Sequence, residues 1–298
     1  MLRKLLLALG GLVGLLLVLA ISGFAISSSK LKRTYDIAVQ APAIPNDSAS
    51  IARGRHLARA ITKCVECHGD DFSGKVVIPE GPLGLVAAPN LTTGRGGVGA
   101  QLEDADFVRA VRHGVGRDGR GLILMPSEDW VLLADDDLAA IVAYVRSLPP
   151  VDNELPRSKL GPLGRGLYVA GQLPLFAAER VPHDQPVPAA PAAGATTDYG
   201  RYLANIGGCT GCHGPGLSGG KIPGTPPEFK PAANLTPEGI GRWSEEDFFR
   251  ALREGKRPDG TAIDPFMPWR VTREMTDEEI RAVWAYLRTV EAKAYGNR

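Results

Sequence analysis

Apolar residues crowd the start of the chain. Leu5 to Ile26 is a run of 22 residues without a charge, preceded by Arg3 and Lys4 and followed by Lys30, Lys32 and Arg33. As a helix it reaches about 33 Å, enough to cross about 30 Å of hydrocarbon. No polar stripe lines either face, so residues 1–33 read as a membrane anchor rather than a buried core helix. The run exceeds the 7–15 apolar residues usual for a secretory signal. Gly23-Phe24-Ala25 keeps a cleaved signal as the alternative. Basic residues flank both ends almost equally, so charge alone does not orient the segment. No second run of this length follows, and a single span or a secreted protein is expected.

Beyond the anchor, apolar positions recur at helical spacing and the pattern repeats. Gly54-Arg55-His56-Leu57-Ala58 matches Gly200-Arg201-Tyr202-Leu203-Ala204, and Asn90-Leu91-Thr92 matches Asn234-Leu235-Thr236. Asp106-Phe107-Val108-Arg109-Ala110 matches Asp247-Phe248-Phe249-Arg250-Ala251, Met125-Pro126 matches Met267-Pro268, and Ala143-Tyr144-Val145-Arg146 matches Ala285-Tyr286-Leu287-Arg288. The offset stays between 141 and 146 and the order never changes, so one unit is duplicated over 51–149 and 197–291. Each unit reads as helices separated by Gly/Pro-rich loops: Ile51–Thr62, Asp104–His113 ended by Gly114, and Asp135–Leu148 stopped by Pro149 and Pro150. In the second unit Ser244-x-x-Asp247 and Thr276-x-x-Glu279 are helix-opening caps, the latter leading a helix to Val290. Asp135-Asp136-Asp137 suits a helix N-terminus, where carboxylates meet the dipole. No alternating strand pattern stands out. Residues 34–50 read as a spacer that holds the first unit away from the membrane, 150–182 as an interdomain segment whose apolar stretch from Leu167 to Phe176 packs against one domain, 183–196 as a Pro/Ala linker that completes the 150–196 segment, and 292–298 as a tail. Domains of about 100 residues with so much loop have thin cores, and a large apolar cofactor would thicken them.

Charge narrows the function classes. The formal net charge is +1, and without residues 1–33 it is −4, which excludes a basic nucleic-acid binder. Four cysteines are too few for a disulfide scaffold of 298 residues.

All four cysteines fall in two Cys-x-x-Cys-His motifs, Cys64 to His68 and Cys209 to His213. This is the attachment signal for c-type heme: two thiols add to the porphyrin vinyl groups and the adjacent histidine ligates the iron. A zinc site would have to combine pairs 145 residues apart and would leave the repeated histidine unexplained. Met125 and Met267 stand at matching positions, 57 and 54 residues after their histidines. They are the candidate sixth ligands, whereas Met275 has no counterpart and reads as a helix-start residue. His56, opposite Tyr202, and His113, opposite Glu254, are not kept by the repeat, and His183 lies in the linker; all three read as satisfied or surface histidines. His/Met ligation raises the potential relative to His/His and fills both axial positions, which suits electron transfer over substrate binding.

The two Cys-x-x-Cys-His motifs, the Asn-Leu-Thr segments, the Asp-Phe-x-Arg-Ala helices and the Met-Pro loops resemble class I-type cytochrome c domains. With the anchor, the pair resembles the diheme and triheme cytochrome c subunits of bacterial membrane-bound dehydrogenases; the likeness covers about two-thirds of the chain. It implies an all-α fold of two tandem cytochrome c domains, two covalent hemes c, and first and last helices that cross, pairing Gly54 with Tyr144 and Gly200 with Tyr286. It also suggests that Asn90, Asn234 and Trp243 hold heme propionates, against an equal reading as turn caps and packing, with Arg95 as a substitute in the first unit. Heme attachment outside the cytoplasmic membrane would place both domains on the periplasmic face. The expected function is single-electron transfer, from a dehydrogenase or quinol-oxidising complex to a downstream cytochrome or terminal complex. The protein would itself be a carrier rather than an enzyme. A diheme peroxidase or a heme-based sensor is the alternative.

Overall fold

A computed structural model describes the whole chain, residues 1–298. The apolar run forms helix α1 (Leu2–Leu31), whose most hydrophobic window has a mean hydropathy of 2.7 and is not covered by the rest of the chain. Its 30 residues extend about 45 Å.

The first repeat begins with α2 (Ser48–His56), capped by Asp47, whose carboxylate accepts from the Ser50 amide at 2.9 Å. The pattern predicts a plain helix to Thr62. Instead, residues Leu57–Ile61 widen into a π turn that buries Leu57, Ala58, Ala60 and Ile61 together. Then come α3 (Val65–His68), α4 (Asp104–His113), α5 (Ser127–Trp130) and α6 (Asp135–Arg146). The intervening segment contributes α7 (Pro162–Val169). The second repeat has α8 (Thr197–Ile206), α9 (Cys209–His213), α10 (Pro237–Ile240), α11 (Glu245–Glu254), α12 (Trp269–Thr272) and α13 (Asp277–Leu287). The boxes expected from Ser244 and Asp247 on α11, and from Thr276 and Glu279 on α13, both close. Met275 is buried just ahead of the α13 cap.

The first and last helices of each repeat do cross, but one turn away from the expected tyrosines. A Cβ at Gly54 would land on the Ala140 carbonyl oxygen of α6, and one at Gly200 on the Ala282 carbonyl oxygen of α13. Only glycine lets the backbones approach this closely.

A small sheet departs from a purely helical reading. Strands β1 (Lys75–Gly81) and β2 (Gly84–Ala88) form an irregular antiparallel hairpin, and β3 (Lys159–Leu160) adds to β2. Most of β1 is exposed, so it lacks the in–out alternation that would mark it in the sequence. The start of the stretch taken as a spacer is packed as well. Thr34 bridges to Arg120, and the Tyr35 amide donates to the Gly119 carbonyl at 2.8 Å. Tyr168, Leu175 and Phe176 make a satellite core against the first repeat, joined by Leu31 at the end of α1.

One buried apolar cluster runs through both repeats, from Leu57 and Leu138 to Leu203 and Ile280. The interface inside it is reciprocal: α5 of the first repeat packs on α8 of the second, and α12, the counterpart of α5, packs on the 57–61 turn, the counterpart of the end of α8. Its polar part follows the same near-two-fold rule. His56 Nε2 meets the Glu279 carboxylate at 2.8 Å, while Tyr202, the match of His56, donates its hydroxyl to Asp137, the match of Glu279, at 2.7 Å. Arg53 donates to both Asp137 oxygens at 3.1 and 3.3 Å and reaches Tyr199.

Candidate heme centres

Both Cys-x-x-Cys-His turns are entered through a left-handed residue, Lys63 at φ 56° and Gly208 at φ 67°. This bend folds Cys64, Cys67 and His68 onto a single turn, and Cys209, Cys212 and His213 onto another. None of the four cysteines is paired in a disulfide. Burial pushes the Cys64 thiol up to about 11 and raises the other three in the same direction. The two cysteine pairs sit on separate turns, and no three His, Cys, Asp or Glu side chains converge on one point, as a zinc site needs.

The histidines are held alike. His68 Nδ1 lies 3.0 Å from the Pro89 carbonyl, and His213 Nδ1 lies 2.7 Å from the Ala233 carbonyl, its counterpart. A carbonyl only accepts, so Nδ1 carries the proton and the Nε2 lone pair is left free, with no partner in the protein. Burial lowers the pKa of both rings, partly offset by the bond to the carbonyl. The backbone around each ring is duplicated too: Gly74 and Gly219 donate to the histidine carbonyls at 2.7 and 2.8 Å, and buried Phe72 and Leu217 share the left-handed conformation at φ 59° and 58°. An oriented imidazole with a free Nε2 beside two cysteines outside any disulfide is what covalent heme attachment and iron ligation require. The residues present therefore fit the group.

Met125 and Met267 lie half-buried at the margin of the shared core, just before α5 and α12, as do Cys64 and Cys209. Asn90 and Asn234 have buried amides. Asn90 donates to the Val151 carbonyl at 2.8 Å and accepts from the Thr92 amide; Asn234 donates to the Lys293 carbonyl at 2.7 Å and accepts from the Thr236 amide. They close turns and tie each Asn-Leu-Thr loop to the strand of chain that follows the last helix. Trp243 is partly buried and packs against the core. Arg95 is exposed and paired with Asp152 and Glu154. The remaining histidines are engaged elsewhere: His56 with Glu279, and His113 with His183 through Nδ1 atoms 3.1 Å apart. Burial, with the neighbouring His183, pushes His113 down to about 4.

Sequence reasoning missed what joins the two centres. Lys63, at the entry to the first turn, donates to the Gly207 carbonyl at the entry to the second. Trp130 of α5 donates its indole N–H to the Ile206 carbonyl at 3.0 Å. Asp129, beside it, lies against Gly208 and Gly211 of the second turn, where burial raises its pKa to about 6 despite Lys63. Arg270, Val271 and Glu274 of the second repeat line a cleft of about 340 Å³ with Val65, Glu66 and Gly69 of the first turn. Both attachment turns thus lie at the domain interface. Trp269 was also missed: it follows the Met267-Pro268 pair, lies over Gly255, and has a buried indole N–H with no protein acceptor. Its counterpart Ser127 carries no aromatic signal that the repeat could reveal.

Comparison with known proteins agrees with this geometry. Residues 198–291 match the cytochrome c family, and residues 49–145 match the family described as cytochrome c oxidase, cbb3-type, subunit III. The two repeats are cytochrome c domains, and the protein is a c-type cytochrome with two covalent hemes c. The chain is 32% identical over 300 residues to the gluconate 2-dehydrogenase cytochrome c subunit of Pantoea cypripedii, covering 87% of this chain and 64% of the relative. It is 30% identical over 286 residues to the cytochrome c subunit of the quinone alcohol dehydrogenase of Gluconobacter oxydans (84% and 56%). It is 27% identical over 258 residues to a diheme cytochrome c-type of Cereibacter sphaeroides (77% and 82%). The chain thus spans less than two-thirds of the two dehydrogenase subunits, which it resembles as a cytochrome component rather than a substrate-oxidising one.

Proposed function

We propose that the protein is a membrane-anchored single-electron carrier that accepts electrons from a dehydrogenase or quinol-oxidising complex on the periplasmic face of a bacterial cytoplasmic membrane and passes them to a downstream cytochrome or terminal complex. The observation that carries this reading is the pair of identically built cradles whose attachment turns meet at one interface. Covalent heme supplies a one-electron iron couple. The chain's own residues do the rest. Cys64 and Cys67, and Cys209 and Cys212, form the thioether links; His68 and His213 present oriented Nε2 lone pairs, the Pro89 and Ala233 carbonyls holding each ring. Met125 and Met267 would supply the second protein ligand to each iron. The indole N–H of Trp243 and the second amide N–H of Asn90 and Asn234 would donate to the heme propionates. Helix α1 keeps the carrier beside its partners; its uncharged run matches the hydrocarbon thickness.

An optical redox titration of the membrane-purified holoprotein, repeated under carbon monoxide, tests this. The expected result is two low-spin hemes of high potential, with no carbon monoxide bound. A heme that binds carbon monoxide readily, or titrates far lower, overturns one methionine assignment and favours a diheme peroxidase or a sensor.

A further inference from the structure

Helix α7 lies at the level where the anchor leaves the apolar run. Arg165 donates to the hydroxyls of Ser27 and Ser28 at 3.1 and 2.9 Å, and its guanidinium covers the Phe24 ring at 4.6 Å. Lys30 lies 5.0 Å over the Tyr168 ring, and Leu31 packs into the satellite core. Ser27 is fully buried, so this joint is a packed contact rather than a flexible hinge. The apolar run ends at Ile26 and gives way to Ser27-Ser28-Ser29 and then Lys30; with α1 in the membrane, this stretch is the boundary between hydrocarbon and headgroups, and α7 is fastened to it.

The outward side of α7 is unlike the exposed side of a water-facing helix, which carries charged and polar residues. Its exposed positions are Pro162, Leu163 and Gly166, followed by Ala170 just past its end, all without a polar side chain, and Leu163 is 50% exposed. The β1–β2 hairpin abuts its start, the Leu163 amide donating to the Pro82 carbonyl, and adds exposed Pro79 and Pro82. Cations rim the patch: Arg157, Lys30 and Lys32 stand beside it, while Lys159 is paired with the exposed Glu80 of the hairpin at 2.6 Å. Small apolar side chains between basic residues, beside a helix that enters lipid, fit the headgroup layer of an anionic bilayer.

We infer that α7 and the hairpin tip seat the first cytochrome c domain directly on the membrane surface, Leu163 entering the headgroup layer, so that residues 34–50 do not hold the domain away from it. The inference rests on α1 being a membrane anchor. Seating would fix the height and tilt of the first attachment turn above the bilayer.

The test uses the full-length holoprotein in vesicles of phosphatidylglycerol and, separately, of phosphatidylcholine, with single substitutions Leu12→Cys, Leu163→Cys and Glu246→Cys. A charged, water-soluble maleimide reports each thiol by mass spectrometry; the native cysteines are held as thioethers. Leu163 and Glu246 are both exposed on the protein itself, so only lipid distinguishes them. The expected result is no labelling at position 12, and labelling at 163 several-fold slower than at 246, with the larger retardation in phosphatidylglycerol. Equal rates at 163 and 246 with position 12 protected overturn the seating while leaving the anchor intact. Rapid labelling at position 12 overturns the anchor and the seating with it.

Discussion

Asp137→Asn probes the joint between the two cytochrome c domains. The Asp137 carboxylate is buried at 6% exposure and takes two guanidinium bonds from Arg53 and the Tyr202 hydroxyl. Asparagine keeps the volume and one acceptor oxygen but removes the charge. Breaking a fully buried pair from one side costs about 3–5 kcal/mol. Here the Arg53 side chain is 34% exposed, so water takes over part of its solvation and the expected loss is about 2 kcal/mol, roughly a 30-fold change in the folding equilibrium. The apolar core is continuous across the domains, so the loss should appear as one cooperative transition moved down by about 4–8 °C. Thermal unfolding of the oxidised holoprotein, followed at the Soret band and by far-ultraviolet circular dichroism, measures it. Tyr202→Phe completes a cycle: because both side chains serve one carboxylate, the double variant should lose less than the sum of the singles. A shift below about 1–2 °C for Asp137→Asn, the size typical of an exposed ion pair, or strict additivity in the cycle, would refute the claim that this network couples the domains.

Three other outcomes follow from the same structure. Gly200→Ala places a methyl on the Ala282 carbonyl and should destabilise by about 1–3 kcal/mol or more, as overpacking does, whereas Gly166→Ala, at an open helical position, should be neutral or stabilising; denaturant midpoints separate the two. Burial raises the pKa of Glu279, but bonds from His56 and the Thr276 amide, with the Arg53 charge, outweigh it and hold the group below its ordinary 4.5. A depressed carboxylate adds stability above its unfolded pKa and loses it as pH falls through the folded one, so stability should decline below about pH 4.5. That slope should be shallower in Glu279→Gln, as read by chemical denaturation at pH 3.5 to 6. Met267→Ala should open the second heme alone to carbon monoxide, leaving the first spectroscopically unchanged; binding at neither heme would remove Met267 as a ligand.

What the sequence made legible was whatever recurs or is local. The Cys-x-x-Cys-His turns, the capping boxes at Ser244 and Thr276 and the stop at Gly114 are decided within a few residues, and duplication shows each of them or its setting twice. The joint was not legible, because its bonds connect residues 65 to 223 positions apart. His56 and Tyr202 looked like a failed match in the repeat; they occupy equivalent places and bond equivalent acids with different chemistry. The hairpin escaped because β1 is exposed on both faces; the apolar stretch within 150–182 announced packing against a domain, but not that it forms a separate small core with the end of α1. Trp269 escaped because nothing in the first repeat resembles it.

Two identical copies of such a domain, meeting about a true two-fold axis, would have to place the same side chain on both halves of every contact. Within one chain that constraint is lifted. A histidine faces a glutamate on one side of the axis while a tyrosine faces an aspartate on the other, and a tryptophan stands beside one methionine where a serine stands beside the other. The joint keeps the geometry of a symmetric dimer while each half is free to set its own polarity, so the two attachment turns, alike in backbone, sit in unequal surroundings.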